Sequence, residues 1–129
     1  MIKSILEGVG HKVGLIGTIE AIIGEEVIPA ANTTPESYTI HQYFAKMVEA
    51  GCDSVVMEVS SQGLMLHRTA GIPFEIGIFT NLGKDHIGPN EHKDFNEYKY
   101  GVKMVACSNS ASSFGGKVGS GVGGSLIGW

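Results

Sequence analysis

Short apolar runs alternate with helical segments through most of this chain, and the alternation restricts the possible folds more than any other feature. Apolar and β-branched residues cluster at residues 13–19, 54–59 and 75–79, which predicts strands, and residues 26–28 favour a further strand or hairpin arm. Helices are predicted at residues 2–9, 35–50, 60–66 and 94–105. Such alternation is typical of an α/β fold with a mostly parallel sheet and helices on both faces.

The second helix has a start signal in its sequence. Thr34 suits the N-cap, Pro35 the first helical position and Glu36 an acidic first turn. Gly51 is placed to end the helix. Its buried face is predicted to consist of Ile40, Phe44, Met47 and Val48.

Polar residues follow three of the apolar runs. In open parallel sheets, ligands bind beyond the carboxyl ends of the strands. This rule selects Thr18, residues 58–61 and residues 80–86 as candidate ligand-contacting positions.

Glu58 is the one charged residue in an otherwise apolar strand. A buried carboxylate without a partner costs several kcal/mol, so it needs a donor, a cation or a metal. Two hypotheses stay open from the sequence. Glu58 is either paired structurally, with Arg68 or a capping N–H, or it is a ligand of Mg²⁺, which is held by one or two carboxylates and phosphate oxygens.

The segment Asn32-Thr33-Thr34-Pro35 also allows two interpretations. It is either a loop leading into a capped helix or an anion site, because free N–H groups and hydroxyls at a helix N-terminus bind carboxylates and phosphates.

A third polar cluster, at the end of the last predicted strand, contains Asn81, Asp85 and His86. Asp85 is placed to orient or charge-balance His86. Lys99 and Lys103, on the final predicted helix, have the ordinary interpretation of exposed lysines.

Composition and charge exclude several classes of function. Nine Lys and Arg against thirteen Asp and Glu give a net charge of −4, so no nucleic acid partner is expected. No apolar run approaches the ~20 residues of a membrane helix, so no membrane contact is expected and a cytoplasmic location is predicted. The two cysteines, Cys52 and Cys107, define no disulfide framework.

Residues 108–129 differ from the rest of the chain, with seven glycines, six serines and a single charge at Lys117. Such a segment loses much backbone entropy on ordering and buries little. We therefore expect an organised domain over residues 1–107 and a tail, 108–129, that is disordered or foreign to it.

Four ordered motifs resemble the central, ATP-binding domain of the Mur ligases. They are Val13-Gly-Leu-Ile-Gly-Thr-Ile19, Asn32-Thr-Thr-Pro-Glu-Ser37, Val56-Met-Glu-Val-Ser-Ser-Gln-Gly-Leu64 followed by His67-Arg68, and Phe79-Thr-Asn-Leu-Gly-Lys-Asp-His86. Their order and spacing agree over about residues 1–100, and they are most similar to the type that adds the third residue of the peptidoglycan stem peptide.

The resemblance implies an ATP-dependent ligase. ATP would phosphorylate the carboxylate of a UDP-N-acetylmuramoyl dipeptide, and the amine of an incoming amino acid would attack the acyl phosphate. It also implies roles for individual residues. Glu58 and His86 match Mg²⁺ ligands, with Asn81 and Asp85 in support; the substrate-holding residues it implies are Asn32, Thr33, Thr34, Ser60 and Arg68.

This chain departs from the family pattern at three places. Leu66 stands where a relative has glutamine, and the family's carbamylated lysine falls by count at Val102, one residue or about 100° of helix from Lys103. In the family, a strand and the phosphate-binding loop G-T-N-G-K-T-T come immediately before the first helix, and we expect both to be missing from this chain. We therefore expect residues 1–107 to be a partial central domain, incompetent alone. The alternatives are a non-catalytic module that binds UDP-muramyl peptide or Mg²⁺, and a chain that associates through unpaired sheet edges.

Overall fold

The computed structural model describes residues 1–80, 88, 93–94, 96 and 126–128. Within them the elements run in the order α1 (Ile2–Gly8), β1 (Val13–Ile16), β2 (Glu20–Ile23), β3 (Glu26–Pro29), α2 (Ser37–Glu49), β4 (Ser54–Val59), α3 (Ser61–Met65), β5 (Gly77–Phe79) and β6 (Leu126–Gly128). Most of the helix predicted at residues 94–105 lies outside the described residues. The domain boundary at residue 107 stays a prediction.

The described strands form one six-stranded sheet in the order β3-β2-β1-β4-β6-β5. The α/β class is confirmed, but the mostly parallel sheet is wrong. Only β1 and β4 pair in parallel among the described strands, and the other four neighbouring pairs are antiparallel. Because β4 and β5 both run antiparallel to β6, strands β1, β4 and β5 still point the same way. Their carboxyl ends therefore share one edge of the sheet.

A tight hairpin supplies one of the antiparallel pairs, β2 with β3. Strand β2 turns into β3 through Gly24 and Glu25, and Gly24 has φ of +60°. A left-handed residue in a two-residue connection is typical of hairpins, and glycine adopts it without steric cost. The strand or hairpin arm predicted at residues 26–28 is confirmed as β3, whereas β2 is not predicted, because the apolar stretch at residues 21–23 is too short to show a period.

The core lies between α2 and one face of the sheet. Ile16 and Met57 are register partners on adjacent strands, so their side chains project from the same face. Ile40 and Met47 of α2 pack against that face at 0% and 1% exposure. The predicted apolar face of α2 is thus confirmed at Ile40 and Met47. It is wrong at Val48, which is 74% exposed. Helices on both faces of the sheet stay a prediction.

Helix α2 begins later than its sequence predicts. Its N-cap is Glu36, with no side-chain cap hydrogen bond, and Thr34 is not the cap. Thr34 is instead buried at 1% exposure and bonds to the segment after β4. Gly51 ends the helix as expected, with φ of +75°. The hydroxyl of Thr34 therefore bonds to Glu58 and Ser60 and does not cap its own helix.

Asp53 joins the beginnings of β1 and β4 at the surface. The hydroxyl of Ser54 and the backbone N–H of Lys12 donate to its carboxylate, with His11 beside it, and these bonds hold the pKa of Asp53 below its ordinary value. A lowered folded pKa stabilises the fold above the unfolded pKa, and the stabilisation is lost as the pH falls through the folded pKa. We expect the difference in unfolding free energy between wild type and Asp53→Asn to shrink as the pH falls below about 4.

Urea denaturation at several pH values between about 3 and 7 measures this difference. Glu25→Gln, in the β2–β3 turn, is the control for removal of a surface carboxylate. A difference that stays constant across the range contradicts the prediction.

No helix in the described part of the chain is long and apolar enough to cross a membrane.

Candidate functional site

Glu58 lies near the carboxyl end of β4 and is bound by Thr18, which follows β1. The backbone N–H of Thr18 donates to Glu58 Oε2 at 2.8 Å, and its hydroxyl donates to the same oxygen at 2.5 Å. Glu58 is therefore paired within the protein, but its donor is Thr18 in the turn after β1, and neither a helix-capping N–H nor Arg68. The carboxylate is half-buried, so it combines a fixed position with access from the edge of the sheet.

Thr34 ties the Asn32–Glu36 loop (residues 32–36) to the end of β4. Its hydroxyl donates to the backbone carbonyl of Glu58 at 3.2 Å and accepts the backbone N–H of Ser60 at 2.8 Å. Both bonds are inside the protein, since Thr34 is 1% exposed. The loop is thereby fixed against the strand that presents Glu58.

Helix α3 packs its first turn on Thr34. A Cβ added at Gly63 would lie 2.7 Å from Thr34 Cγ2 and 3.0 Å from Thr34 Oγ1, so only glycine permits this approach. Ser60 is the N-cap of α3, and its hydroxyl accepts the N–H of Gly63 at 3.0 Å. The short helix predicted after β4 is confirmed, and its N-cap Ser60 lies beside Thr34.

Arg68 binds the same loop from the other side. Its Nη2 lies 2.6 Å from Glu36 Oε1, and its Nη1 donates to the carbonyl of Thr34 at 3.0 Å. The hydroxyl of Ser37 donates to the carbonyl of Arg68 at 2.9 Å. The side chain of Arg68 is 12% exposed, and its buried Nε has no hydrogen-bond partner among the described residues. The guanidinium is therefore oriented by the protein through Nη1 and Nη2, while its Nε–H has no partner in the described part of the chain.

A cavity of about 150 Å³ opens beside this cluster. Asn32, which is exposed, and Glu36 line it from the loop, and Gly17 lines it from the end of β1. Thr33 is half-buried within the loop. The cavity is thus lined by Gly17, which precedes Thr18, and by Glu36, whose carboxylate binds Arg68.

The structure brings together Thr34, Glu58, Ser60 and Arg68, with Asn32 and Thr33 on the connected loop. The remaining candidates, Asn81, Asp85, His86 and Lys103, lie outside the described residues. Within the described ranges there is no group of three or more His, Cys, Asp or Glu side chains that could hold a metal.

The donors present nevertheless suit Mg²⁺. This ion takes hard oxygen ligands and is usually held by one or two carboxylates with waters and phosphate oxygens. Glu58 offers such a carboxylate at an accessible edge of the sheet, with the Thr18 hydroxyl beside it. The chemistry of the donor set therefore fits the ion that the sequence analysis expected.

Sequence reasoning missed the roles of Thr18 and Glu36. Thr18 was selected by its position after a strand, yet nothing in a linear pattern connects it to a carboxylate 40 residues away. Glu36 was read as an acidic first-turn residue, whereas its carboxylate binds Arg68. The parallel register of β1 and β4 brings Thr18 next to Glu58, and this register exists only in the folded chain.

A family model described as the Mur ligase middle domain matches residues 1–105. UDP-N-acetylmuramoyl-L-alanyl-D-glutamate–2,6-diaminopimelate ligases are similar: that of Clostridium tetani is 53% identical over 113 residues, and that of Clostridium perfringens 54% over 113. The Bacillus cereus enzyme is 48% identical over 112 residues. These alignments cover 88%, 88% and 85% of this chain but only 23%, 23% and 22% of the relatives. The chain therefore spans about a quarter of their length.

Proposed function

This chain belongs to the Mur ligase family, and on that premise we propose that it is part of an ATP-dependent ligase of peptidoglycan synthesis. The reaction proposed for the whole protein joins 2,6-diaminopimelate, named by the relatives, to UDP-N-acetylmuramoyl-L-alanyl-D-glutamate through an acyl phosphate. The main support within the chain is one arrangement. The carboxylate of Glu58, the Asn32–Glu36 loop and the Arg68 guanidinium lie around the end of a single strand.

Glu58 is proposed to hold Mg²⁺, together with His86. Phosphoryl transfer depends on positioning and charge neutralisation more than on covalent help, and charge neutralisation is what the bound ion supplies. The protein's own contribution is a carboxylate already held in place by Thr18. Lys103, as a carbamylated lysine, and the supporting residues Asn81 and Asp85 remain proposals of the same kind.

Arg68 and the loop are proposed to hold the anionic muramyl dipeptide. Arginine presents donors in a planar fork that matches a carboxylate or phosphate. Thr34 and Glu36 fix that fork, and Asn32 and Thr33 add polar groups near the cavity. Ser60 lies at the same end of β4 and completes the proposed substrate contacts.

Isothermal titration of the chain with UDP-N-acetylmuramoyl-L-alanyl-D-glutamate tests the substrate proposal. We expect Arg68→Lys to weaken binding by roughly tenfold, because lysine keeps the charge but loses the fork. Glu36→Gln is the matched control, since it removes the charge opposite Arg68 and leaves the guanidinium intact. Binding that is equally weakened in both variants would mean that Arg68 acts only by anchoring the loop.

The same titration, combined with assays of ATP hydrolysis and ligation, addresses the alternative of a non-catalytic module. Dipeptide binding by this chain without ATP hydrolysis or ligation favours the module, whereas measurable turnover contradicts the expectation that the chain is incompetent alone. An absence of dipeptide binding by the wild-type chain contradicts the substrate proposal.

A further inference from the structure

We propose that Thr18 is a positioning residue for Glu58, and that its hydroxyl orients the carboxylate for a divalent cation. The inference rests on the proposed function, since it concerns the residue proposed to ligate Mg²⁺. Thr18 is not among the residues that the family resemblance assigned to the site.

Two donors from one residue converge on a single oxygen. The N–H and the hydroxyl of Thr18 both bond to Glu58 Oε2, at 2.8 and 2.5 Å. Hydrogen bonds to an ionised carboxylate are shorter and stronger than those between neutral groups. A glutamate side chain otherwise has several rotatable bonds, and this pair of bonds selects one orientation for it. Oε1 is not used by Thr18.

The backbone places Thr18 where this is possible. Strands β1 and β4 are in parallel register up to Ile16 and Met57, which brings the next residue, Gly17, beside Glu58. The N–H of Gly17 donates to the carbonyl of Glu20 at 3.0 Å, which fixes the turn between β1 and β2. A Cβ added at Gly17 would lie 3.6 Å from Glu58 Oε2, so the carboxylate rests directly against this turn.

The two hydrogen bonds from Thr18 are of the kind that orients a metal-ligating side chain. Residues that hydrogen-bond a ligating side chain fix its orientation, and their loss typically reduces metal affinity by roughly 10- to 100-fold. With Oε2 held by Thr18, rotation of the carboxylate is restricted and the direction of Oε1 is set in advance. The hydroxyl contributes to binding without having to touch the cation.

Titration of the full chain with Mn²⁺ tests the proposal without relying on catalysis. The ion substitutes for Mg²⁺, and its paramagnetism broadens amide signals near the site in ¹H–¹⁵N spectra, so weak binding is measurable. The amide of Val59, next to Glu58 in β4, is a suitable reporter. The variants are Thr18→Val and Thr18→Ala, which lack the hydroxyl, Thr18→Ser, which keeps it, and Glu58→Gln, which loses the proposed ligand.

We expect both hydroxyl-free variants to bind Mn²⁺ about tenfold more weakly than wild type, and Thr18→Ser to lie within about twofold of it. Thermal unfolding followed by circular dichroism verifies that each variant is folded, as expected for an exposed side chain. Affinity that is unchanged in Thr18→Val and Thr18→Ala overturns the proposal. So does an equal loss in Thr18→Ser, because the hydroxyl would then not be the group responsible.

Glu58→Gln separates this inference from the proposed function. If wild type binds Mn²⁺ and Glu58→Gln binds it equally well, the metal assignment of Glu58 is wrong, and the positioning role is overturned with it. If Glu58→Gln loses binding while Thr18→Val keeps it, the metal assignment stands and only the role of Thr18 is overturned.

Discussion

Replacing Gly63 with alanine is expected to lower the free energy of unfolding by about 2–3 kcal/mol, as overpacking at a tight interior contact does. The new methyl group would stand 2.7 Å from Thr34 Cγ2 and 2.8 Å from Thr34 Cβ. Thr34 has no room to retreat, because it is 1% exposed and its hydroxyl is bound at both Glu58 and Ser60. The strain therefore falls on the loop that is proposed to hold substrate, and dipeptide binding should weaken as well.

Urea denaturation of the variant measures the loss. Gly8→Ala is the control, because it makes the same change in a helix where no atom lies within 4 Å of the added Cβ. We expect Gly8→Ala to change the unfolding free energy by less than about 0.5 kcal/mol or to stabilise the chain slightly. Equal effects of the two substitutions would show that α3 can move away from Thr34.

Replacing Thr34 with valine is expected to cost about 2 kcal/mol in unfolding free energy. Valine has nearly the same shape, so the change removes the hydroxyl and little else. The buried N–H of Ser60 loses its acceptor and the carbonyl of Glu58 loses a donor. A buried polar group left without a partner costs about 1–3 kcal/mol.

Thr34→Ser provides the comparison for this prediction. Serine keeps the hydroxyl and loses one methyl group, which is worth about 0.8 kcal/mol when buried. We expect valine to be the more destabilising of the two in chemical denaturation. If serine is the worse substitution, the methyl contact with Gly63 matters more than the hydrogen bonds, and the loop is held mainly by packing.

How much of the site was visible in the sequence differs from residue to residue. Glu58 and Ser60 were identified because a charge and a hydroxyl interrupt or follow an apolar run, a local signal that survives in any fold. The loop is a candidate anion site from its local pattern, whereas a substrate role for Arg68 comes only from the resemblance to the Mur ligases. The contact between Arg68 and Glu36 leaves no local signal, because 32 residues separate them.

Most of the described strands and helices form where local sequence patterns predict them, although β2 is not predicted and α2 begins later than expected. Strand β4 and the short helix after it lie where predicted, since apolar periodicity and glycine positions act over a few residues. Which polar groups meet depends instead on how distant parts of the chain pack together. Thr34 bonds across to β4 instead of capping its own helix, and Thr18 reaches Glu58 because β1 and β4 align in parallel. Such contacts depend on strand register and chain direction, which are set by burial of the whole sheet face and leave no periodic trace along the chain.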